Sequence, residues 1–339
     1  MKYNFLGNTG LKVSELCLGT MTFGGSSKGI WSAIGDLSQS SVDEIVKRSV
    51  DAGINFIDTA NVYSEGLAEE LTGKSIRNLG LKRDDLVIAT KVRGKMGDGP
   101  NEIGLSRKHI MQQVDESLKR LNMDYIDLYQ IHGYDALTPL EDTIRTLDDL
   151  VKSGKVRYIG CSNITAWQLM KSLAFSDRHN LSKFVSLQAY YTIAGRDLER
   201  ELIPLLNDQK VGLMVWSPLA GGLLSGKYSR NKNPEDARRA NFDFPPVNKE
   251  KAFDIIDVME PIAQSKNVSV AQIALAWLLH QPAVTSVIIG AKKREQLEDN
   301  LKAIDVVLTE DELKKLNDAS KLSPEYPGWM LERQGADRK

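Results

Sequence analysis

The chain is poor in cysteine and histidine, and it carries no excess of charge of either sign. Two cysteines and four histidines occur among 339 residues, too few for the disulfide framework of a small secreted protein. Cys17 and Cys161 both lie inside apolar, strand-like runs, where buried reduced thiols are expected, and this fits a cytoplasmic compartment. No metal site is expected. Basic residues number 44 against 45 acidic, a formal net charge of −1, so no cationic surplus favours nucleic acid or an anionic membrane over a small neutral partner. No window reaches the ~18 uncharged apolar residues that a membrane span needs. Residues 1–10 mix polar and charged side chains and lack the apolar stretch of a secretory signal. No apolar surface stripe can be assigned to a subunit interface, so the pattern is silent on oligomeric state.

Against these absences stand 42% hydrophobic and 26% charged residues, the mixture of a globular protein. The first residues read as a β-hairpin, two short runs over 3–13 around the turn Gly7-Asn8-Thr9-Gly10. Short apolar runs then alternate with longer amphipathic stretches. The runs fall at 16–20, 55–60, 86–92, 126–132, 156–162, 185–190, 213–217 and 286–291. Several are continuously apolar, as expected for parallel strands buried on both faces. Between them, 107–121 places Ile110, Val114, Leu118 and Leu121 on one stripe, and 139–153 is a second helix. Ser41, Ser106, Thr138, Thr165 and Ser269 stand where helices begin, with Pro139 at a first helical position, and Gly53, Gly80 and Gly154 where they end.

Eight strand–helix alternations without a break in composition predict an α/β fold, a (β/α)8 TIM barrel with an N-terminal β-hairpin; a doubly wound sheet is the rival. A single barrel domain over 1–339 is expected, with a core from about 10 to 310 and a tail over 322–339. Two segments interrupt the rhythm, a Gly/Ser-rich one at 24–35 and a long one at 220–268 with Pro234, Pro245 and Pro246. Both follow strands, so both are expected as long loops on the catalytic face. The tail, with Pro324, Pro327 and Trp329, either folds over that face or ends as ordinary surface.

The strand ends carry ionisable residues that a structural strand does not need. Asp58 closes the second run, with Tyr63 five residues later; Lys91 ends the third and His132 the fourth. In a parallel barrel these ends meet on one rim, where a buried Lys and Asp must pair. The set suits carbonyl reduction. A hydride arriving at carbon leaves negative charge on oxygen, and a phenol is a proton donor that a neighbouring ammonium makes more acidic. Lys91 is thus expected to lower the pKa of Tyr63, Asp58 to hold Lys91 charged, and His132 to orient the carbonyl and bond the developing oxyanion.

With these residues in place, Gly53-Ile-Asn-Phe-Ile-Asp58-Thr-Ala-Asn-Val-Tyr63, Tyr125-Ile-Asp-Leu-Tyr-Gln-Ile-His132 and Gly154-Lys-Val-Arg-Tyr-Ile-Gly-Cys-Ser-Asn163 resemble segments of the aldo-keto reductase superfamily, in its longer-loop branch of bacterial reductases and channel β-subunit-like proteins. The resemblance runs from Gly10 to about Asn300. It implies a catalytic tetrad of Asp58, Tyr63, Lys91 and His132, and an extended nicotinamide cofactor across the barrel top. Ser162, Asn163 and Gln188 would then hold the carboxamide, with Trp216 stacked on the nicotinamide ring. Ser217, Leu219, Gly221 and Leu223 would line the pyrophosphate, with Lys227 either on a phosphate or in water. The adenosine end would lie on Gly290, Lys292, Arg294, Gln296 and Asn300. The cations Lys292, Lys293 and Arg294 favour the 2′-phosphate of NADPH, NADH remaining possible.

No G-x-G-x-x-G links a first strand to a helix, so a Rossmann site is unsupported. Gly221, Gly226 and Lys227 imitate part of a nucleotide phosphate loop, but Tyr228 stands where Ser or Thr should ligate magnesium. Phe23, Trp31, Tyr134 and Trp329 are the expected substrate walls, for an apolar or aromatic carbonyl. Two other readings stay open: a cofactor-holding regulatory subunit with slow turnover, and a Schiff-base enzyme using Lys91.

Overall fold

The computed structural model describes residues 1–25, 31–230, 239 and 242–336. Eight parallel strands close into a barrel: β3 (Leu16–Gly19), β4 (Phe56–Asp58), β5 (Val87–Val92), β6 (Ile126–Ile131), β7 (Val156–Ser162), β8 (Phe184–Tyr190), β9 (Gly212–Trp216) and β10 (Val284–Ile289), with β10 pairing back onto β3. Every expected strand is present within two residues of its expected ends. The closed ring removes the doubly wound alternative. Ahead of it, β1 (Tyr3–Phe5) and β2 (Lys12–Ser14) pair antiparallel, as the turn residues predicted.

The hairpin plugs one end of the barrel. Leu6 and Val13 are fully buried and pack with Cys17, Phe56, Ala89, Leu128, Met214 and Ile288 from the barrel strands. A fully buried Leu or Phe contributes ~1.5–3 kcal/mol, so this layer is a packed floor and not a pore. Because side chains along a strand alternate faces, the residue two positions on joins the next layer up. Phe56 is followed so by Asp58, Ala89 by Lys91, Leu128 by Gln130 and Met214 by Trp216. An apolar floor thus carries a polar layer directly above it.

The helices that matter for the site are α1 (Trp31–Ile34), α2 (Gln39–Asp51), α3 (Leu67–Asn78), α4 (Arg107–Leu121), α5 (Leu140–Lys152), α6 (Ala166–His179) and α7 (Leu202–Gln209), then α8 (Lys249–Lys266), α9 (Val270–Leu279), α10 (Arg294–Leu301), α11 (Glu310–Ala319) and α12 (Gly328–Ala336). Ser106 and Ser269 cap α4 and α9, and Thr165 shares a capping box with Gln168. Two expected caps move. Ser38, not Ser41, caps α2, accepting from the Ser41 amide. Pro139 takes the cap position of α5, while the Thr138 hydroxyl turns to Asp135 at 2.7 Å.

The expected long loop at 220–268 is only partly a loop. Ala220–Ser225 forms a short 3-10 turn and Lys249–Lys266 is a full helix, capped by Asn248. Ala252, Ile255, Ile256, Met259, Ile262 and Ala263 make its buried stripe. Pro234 lies outside the described residues, as does much of the expected 24–35 loop.

Candidate functional site

The segment leaving β4 is laid along β5 by backbone bonds: Thr59 donates to Ala89 at 2.9 Å and Asn61 to the Lys91 carbonyl at 3.2 Å. Tyr63 follows in a tight turn whose next residues, Ser64 and Glu65, adopt left-handed backbone angles (φ 48° and 58°). Such angles are costly for non-glycine residues and persist only where the surroundings enforce them. Here the Ser64 hydroxyl donates to the Phe23 carbonyl at 3.0 Å.

The turn brings the Tyr63 hydroxyl to Lys91. The Lys91 ammonium, fully buried, donates to Asp58 Oδ2 at 2.5 Å, to the Thr59 carbonyl at 2.8 Å and to Tyr63 Oη at 3.2 Å. All three of its protons therefore have acceptors, as burial of a charge demands. A Schiff-base role would forfeit at least two of these three bonds, because an iminium keeps a single N–H. The Tyr63 ring lies edge-on between His132, with centroids 5.7 Å apart, and Trp31 at 5.8 Å. The structure thus gathers Asp58, Tyr63, Lys91 and His132 at one point.

Burial works against the Lys91 ammonium, but Asp58 and Tyr63 outweigh it, and its pKa stands above the ordinary lysine value. Tyr63 departs from expectation. Burial raises its pKa above the usual phenol value and outweighs Lys91, which pulls it down, while Asp58 adds to the rise. The phenol therefore keeps its proton at neutral pH and has one to give. His132 is pushed down to about 3 by desolvation, with the Lys91 and Arg93 cations adding to the effect. Its imidazole is neutral and can donate from one nitrogen only.

This depression has a measurable sign. Below its ordinary value of 6.5 the unfolded chain protonates His132 while the folded protein does not, until about 3. Stability is thus complete above about 6.5 and falls as pH drops toward 3. Between about pH 7 and about pH 4.5, wild type should lose more stability in urea unfolding than His132→Gln. Equal losses would show that the ring titrates normally.

Four donors and acceptors continue the polar layer. Gln130 and Gln188 both donate to Asp58 Oδ1, at 3.0 and 2.9 Å. The Ser162 hydroxyl donates to the Gln188 carbonyl at 2.8 Å. Asn163 spends both amide protons, on the His132 carbonyl at 3.0 Å and on Ser162 Oγ at 2.9 Å, while its Oδ1 accepts from Trp216 Nε1 at 3.1 Å. Gln188, Ser162, Asn163 and Trp216 thus have their donors committed within the protein. What remains is acceptor capacity: Gln188 Oε1, with no partner among the described residues, and a second lone pair on Asn163 Oδ1. A carboxamide brings an NH2 with two donors, so the residues present fit the nicotinamide end of a cofactor. Trp216, half-buried, is fixed in orientation by Asn163, with Tyr190 tilted against it at 5.1 Å and Phe244 parallel to it at 5.9 Å.

Beyond Trp216 the backbone turns left-handed at Ser217, Ala220, Gly221 and Gly222. Gly221 is required twice over: its φ is 66°, and a Cβ there would meet the Phe244 carbonyl at 2.4 Å. Its amide donates to Ser217 Oγ at 3.0 Å. Buried Arg239 pins this turn, donating to the Ala220 carbonyl at 2.7 Å, to Asp243 and to the Pro245 carbonyl at 3.0 Å. Leu219 is half-buried, Leu223 buried and Lys227 exposed. Tyr228 is buried against Arg239, which ends any reading of a magnesium-binding phosphate loop.

After β10, Gly290, Lys292 and Arg294 are exposed at the start of α10. Gln296 is exposed but engaged, its Oε1 accepting from the amides of Lys292 and Lys293 at 2.9 and 3.2 Å. Asn300 is buried and donates to the Gly290 carbonyl at 3.4 Å. Of the expected substrate walls, Trp31 touches Tyr63. Tyr134 lines a groove of about 330 Å³ with Leu137 and Trp167. Phe23 is a correction: it is fully buried in the core, with no surface to offer a ligand. Trp329 sits half-exposed on α12 beside Tyr326, with no contact to the four clustered residues among those described. The tail ahead of it is fastened by Arg200 to the Ser323 carbonyl and to Glu325.

Sequence reasoning missed Gln130, Phe244, Tyr190 and Arg239. Only Gln130 had a visible signal, a lone amide inside an apolar strand and in step with the floor residue Leu128.

A closed (β/α)8 barrel with this cluster on its strand ends defines a class, and comparison with known proteins places the chain in it. The chain belongs to the Aldo/keto reductase family, whose pattern matches residues 15–321. It is 38% identical over 335 residues to a probable voltage-gated potassium channel subunit beta of Arabidopsis thaliana, covering 96% of this chain and 99% of that one. An uncharacterized oxidoreductase of Bacillus subtilis is 38% identical, covering 94% and 95%. Versiconal hemiacetal acetate reductase of Aspergillus parasiticus is 34% identical, covering 97% and 99%. Family and relatives together make it an oxidoreductase of carbonyl-reducing type, and among the described residues no helix is long and apolar enough to cross a membrane.

Proposed function

We propose that the protein is an NADPH-dependent reductase of aldehydes or ketones, with Tyr63 as proton donor. The observation that carries this reading is the Lys91 ammonium shared between Asp58 Oδ2 and Tyr63 Oη inside a buried layer. When bound, a reduced nicotinamide supplies the hydride. Tyr63 gives its proton to the carbonyl oxygen as charge builds there, and Lys91 stabilises the phenolate left behind. Asp58 keeps Lys91 charged. Neutral His132 directs one N–H at the same oxygen and fixes the orientation of the carbonyl.

Ser162, Asn163, Gln188 and Trp216 are the residues proposed for the nicotinamide end. Ser217, Leu219, Gly221, Leu223 and Lys227 are proposed for the pyrophosphate, and Gly290, Lys292, Arg294, Gln296 and Asn300 for the adenosine. Arg294 is available to a 2′-phosphate, since its contact with Glu298 is long, 3.8 Å, and Arg48 holds that carboxylate with two shorter bonds. Trp31 and Tyr134 remain as substrate walls for an apolar carbonyl.

The direct test is NADPH oxidation against a panel of aldehydes and ketones, with cofactor binding followed by fluorescence quenching. Absence of nicotinamide binding sinks the proposal. Arg294→Ala should weaken NADPH binding by about tenfold and leave NADH unchanged, the worth of one charge-assisted bond. Equal weakening of both would remove Arg294 from the 2′-phosphate. A second reading, a cofactor-holding regulatory subunit, is favoured by the likeness to channel β subunits. Slow hydride transfer together with a stable partner complex would select it.

A further inference from the structure

Gln130 has no part in the proton transfer proposed above, yet it lies in contact with its machinery. It is fully buried on β6, beside Lys91 in the parallel ladder. An amide in that position is costly unless its bonds are made, and they are. Its Nε2 donates to Asp58 Oδ1 at 3.0 Å and its Oε1 accepts from Gln188 Nε2 at 3.3 Å. A carboxylate only accepts, so the nitrogen end of Gln130 must face Asp58. The two oxygens of Asp58 are thereby divided, amides on Oδ1 and the Lys91 ammonium on Oδ2.

We propose that Gln130 is a positioning residue for the proton donor: by occupying Oδ1 it keeps Oδ2 turned to Lys91, and so keeps the ammonium against the Tyr63 hydroxyl. The inference rests on the reductase reading. Gln188 shares the task at 2.9 Å, but its Oε1 is also proposed to accept from the nicotinamide carboxamide, so its orientation answers to the cofactor as well as to Asp58. Gln130, sealed in the barrel, has no competing partner. It is the donor that stays on Oδ1 whatever Gln188 does.

The consequence is electrostatic. A carboxylate with a donor on Oδ1 is less basic and pulls less on the ammonium at Oδ2. Without Gln130, Asp58 draws Lys91 harder, the ammonium offers less to a phenolate, and Tyr63 ionises at higher pH. Among the described residues the charged or titratable groups facing this centre are Cys17 on β3, Asp58 on β4, Tyr63 on the following turn, Lys91 on β5 and His132 after β6, with Arg93 acting on His132. Gln130 and Gln188 are neutral.

The test uses Gln130→Met, similar in shape but with no donor, and Gln130→Glu, whose carboxyl donates the same bond while protonated. The first readout is Tyr63 ionisation in cofactor-free protein, from NMR of ring-labelled tyrosine with Tyr63→Phe to assign the signal. The second is the pH dependence of alcohol oxidation, where Tyr63 must accept a proton. Gln130→Met should lower kcat by ~10–100-fold, the worth of a bond to a charged group, with KM and cofactor affinity nearly unchanged. Tyr63 ionisation and the rising, acid-side limb of the oxidation profile should both move upward. Gln130→Glu should approach wild type at low pH and fall away as its own carboxyl ionises. A loss of kcat with Tyr63 ionisation unmoved would mean a merely structural role and overturn the inference. If Gln130→Met fails to fold, a Gln130→Glu profile parallel to wild type at every pH overturns it as well. Wild type without cofactor binding or turnover sinks the reductase reading and this inference with it; an active wild type sharing its Tyr63 ionisation with Gln130→Met sinks the inference alone.

Discussion

Tyr63→Phe is expected to reduce carbonyls ~10²–10⁴-fold more slowly than wild type, the usual worth of a positioned acid, while binding NADPH as tightly. The substitution removes one oxygen and one proton and keeps the ring. That ring is edge-packed between Trp31 and His132, so its place in the site should survive. The lost hydroxyl accepts from Lys91 at 3.2 Å, the longest of the three ammonium bonds. Asp58 and the Thr59 carbonyl keep the ammonium satisfied, and folding should change little. The loss should therefore appear in kcat and not in cofactor affinity. Because the phenol of wild type is held above its ordinary pKa, reduction by wild type should not decline through mildly alkaline pH for want of a proton. If the variant turns over as fast as wild type, another group or water supplies the proton, and the role given to Tyr63 is wrong.

The barrel and its four-residue cluster were legible in the sequence because both rest on periodicity. Continuous apolar runs marked the parallel strands, and Asp58, Lys91 and His132 stood out as ionisable groups where such runs end. The helix Lys249–Lys266 was missed although its buried residues recur at helical spacing. Pro261 lies inside it, and a proline without its N–H reads as a breaker unless the surrounding turns are known to hold. Phe23 looked like a loop aromatic, but whether a side chain after a strand faces solvent or core depends on what packs over it. The direction of the Tyr63 shift was missed for a similar reason. Neighbouring charges can be listed from strand order, while the desolvation that outweighs Lys91 comes from the whole enclosure. Arg239 and Phe244 reach the Trp216 turn through a long connection, and no local pattern announces such a contact. Gln130 was visible as a lone amide among apolar residues, yet its meaning depends on the parity it shares with Lys91.

Lys91→Met carries the largest expected effect on stability, and its sign separates an electrostatic role from a packing one. The ammonium is fully buried, and Asp58 is almost so. Methionine fills most of the lysine volume, so the cost of the substitution is the charge left behind. Removing one partner of a buried ion pair typically costs about 3–5 kcal/mol. Two amide donors remain on Asp58 Oδ1, which places the expected loss toward the lower end of that range. A carboxylate stripped of its cation in a dry layer takes up a proton instead. The folded variant then binds a proton that the unfolded chain binds only at lower pH, and its deficit against wild type should shrink as pH falls from about 7 to about 5. Adding Asp58→Asn to Lys91→Met should restore much of the stability at neutral pH, because the buried charge is gone. It should restore none of the turnover, since the phenolate formed on Tyr63 still lacks its cation. Urea unfolding of the two variants at both pH values reads the first half, and NADPH oxidation reads the second. Stability recovered together with activity would mean that the ion pair serves only the fold; stability unchanged in Lys91→Met would mean that the barrel interior is wet enough to solvate Asp58 alone.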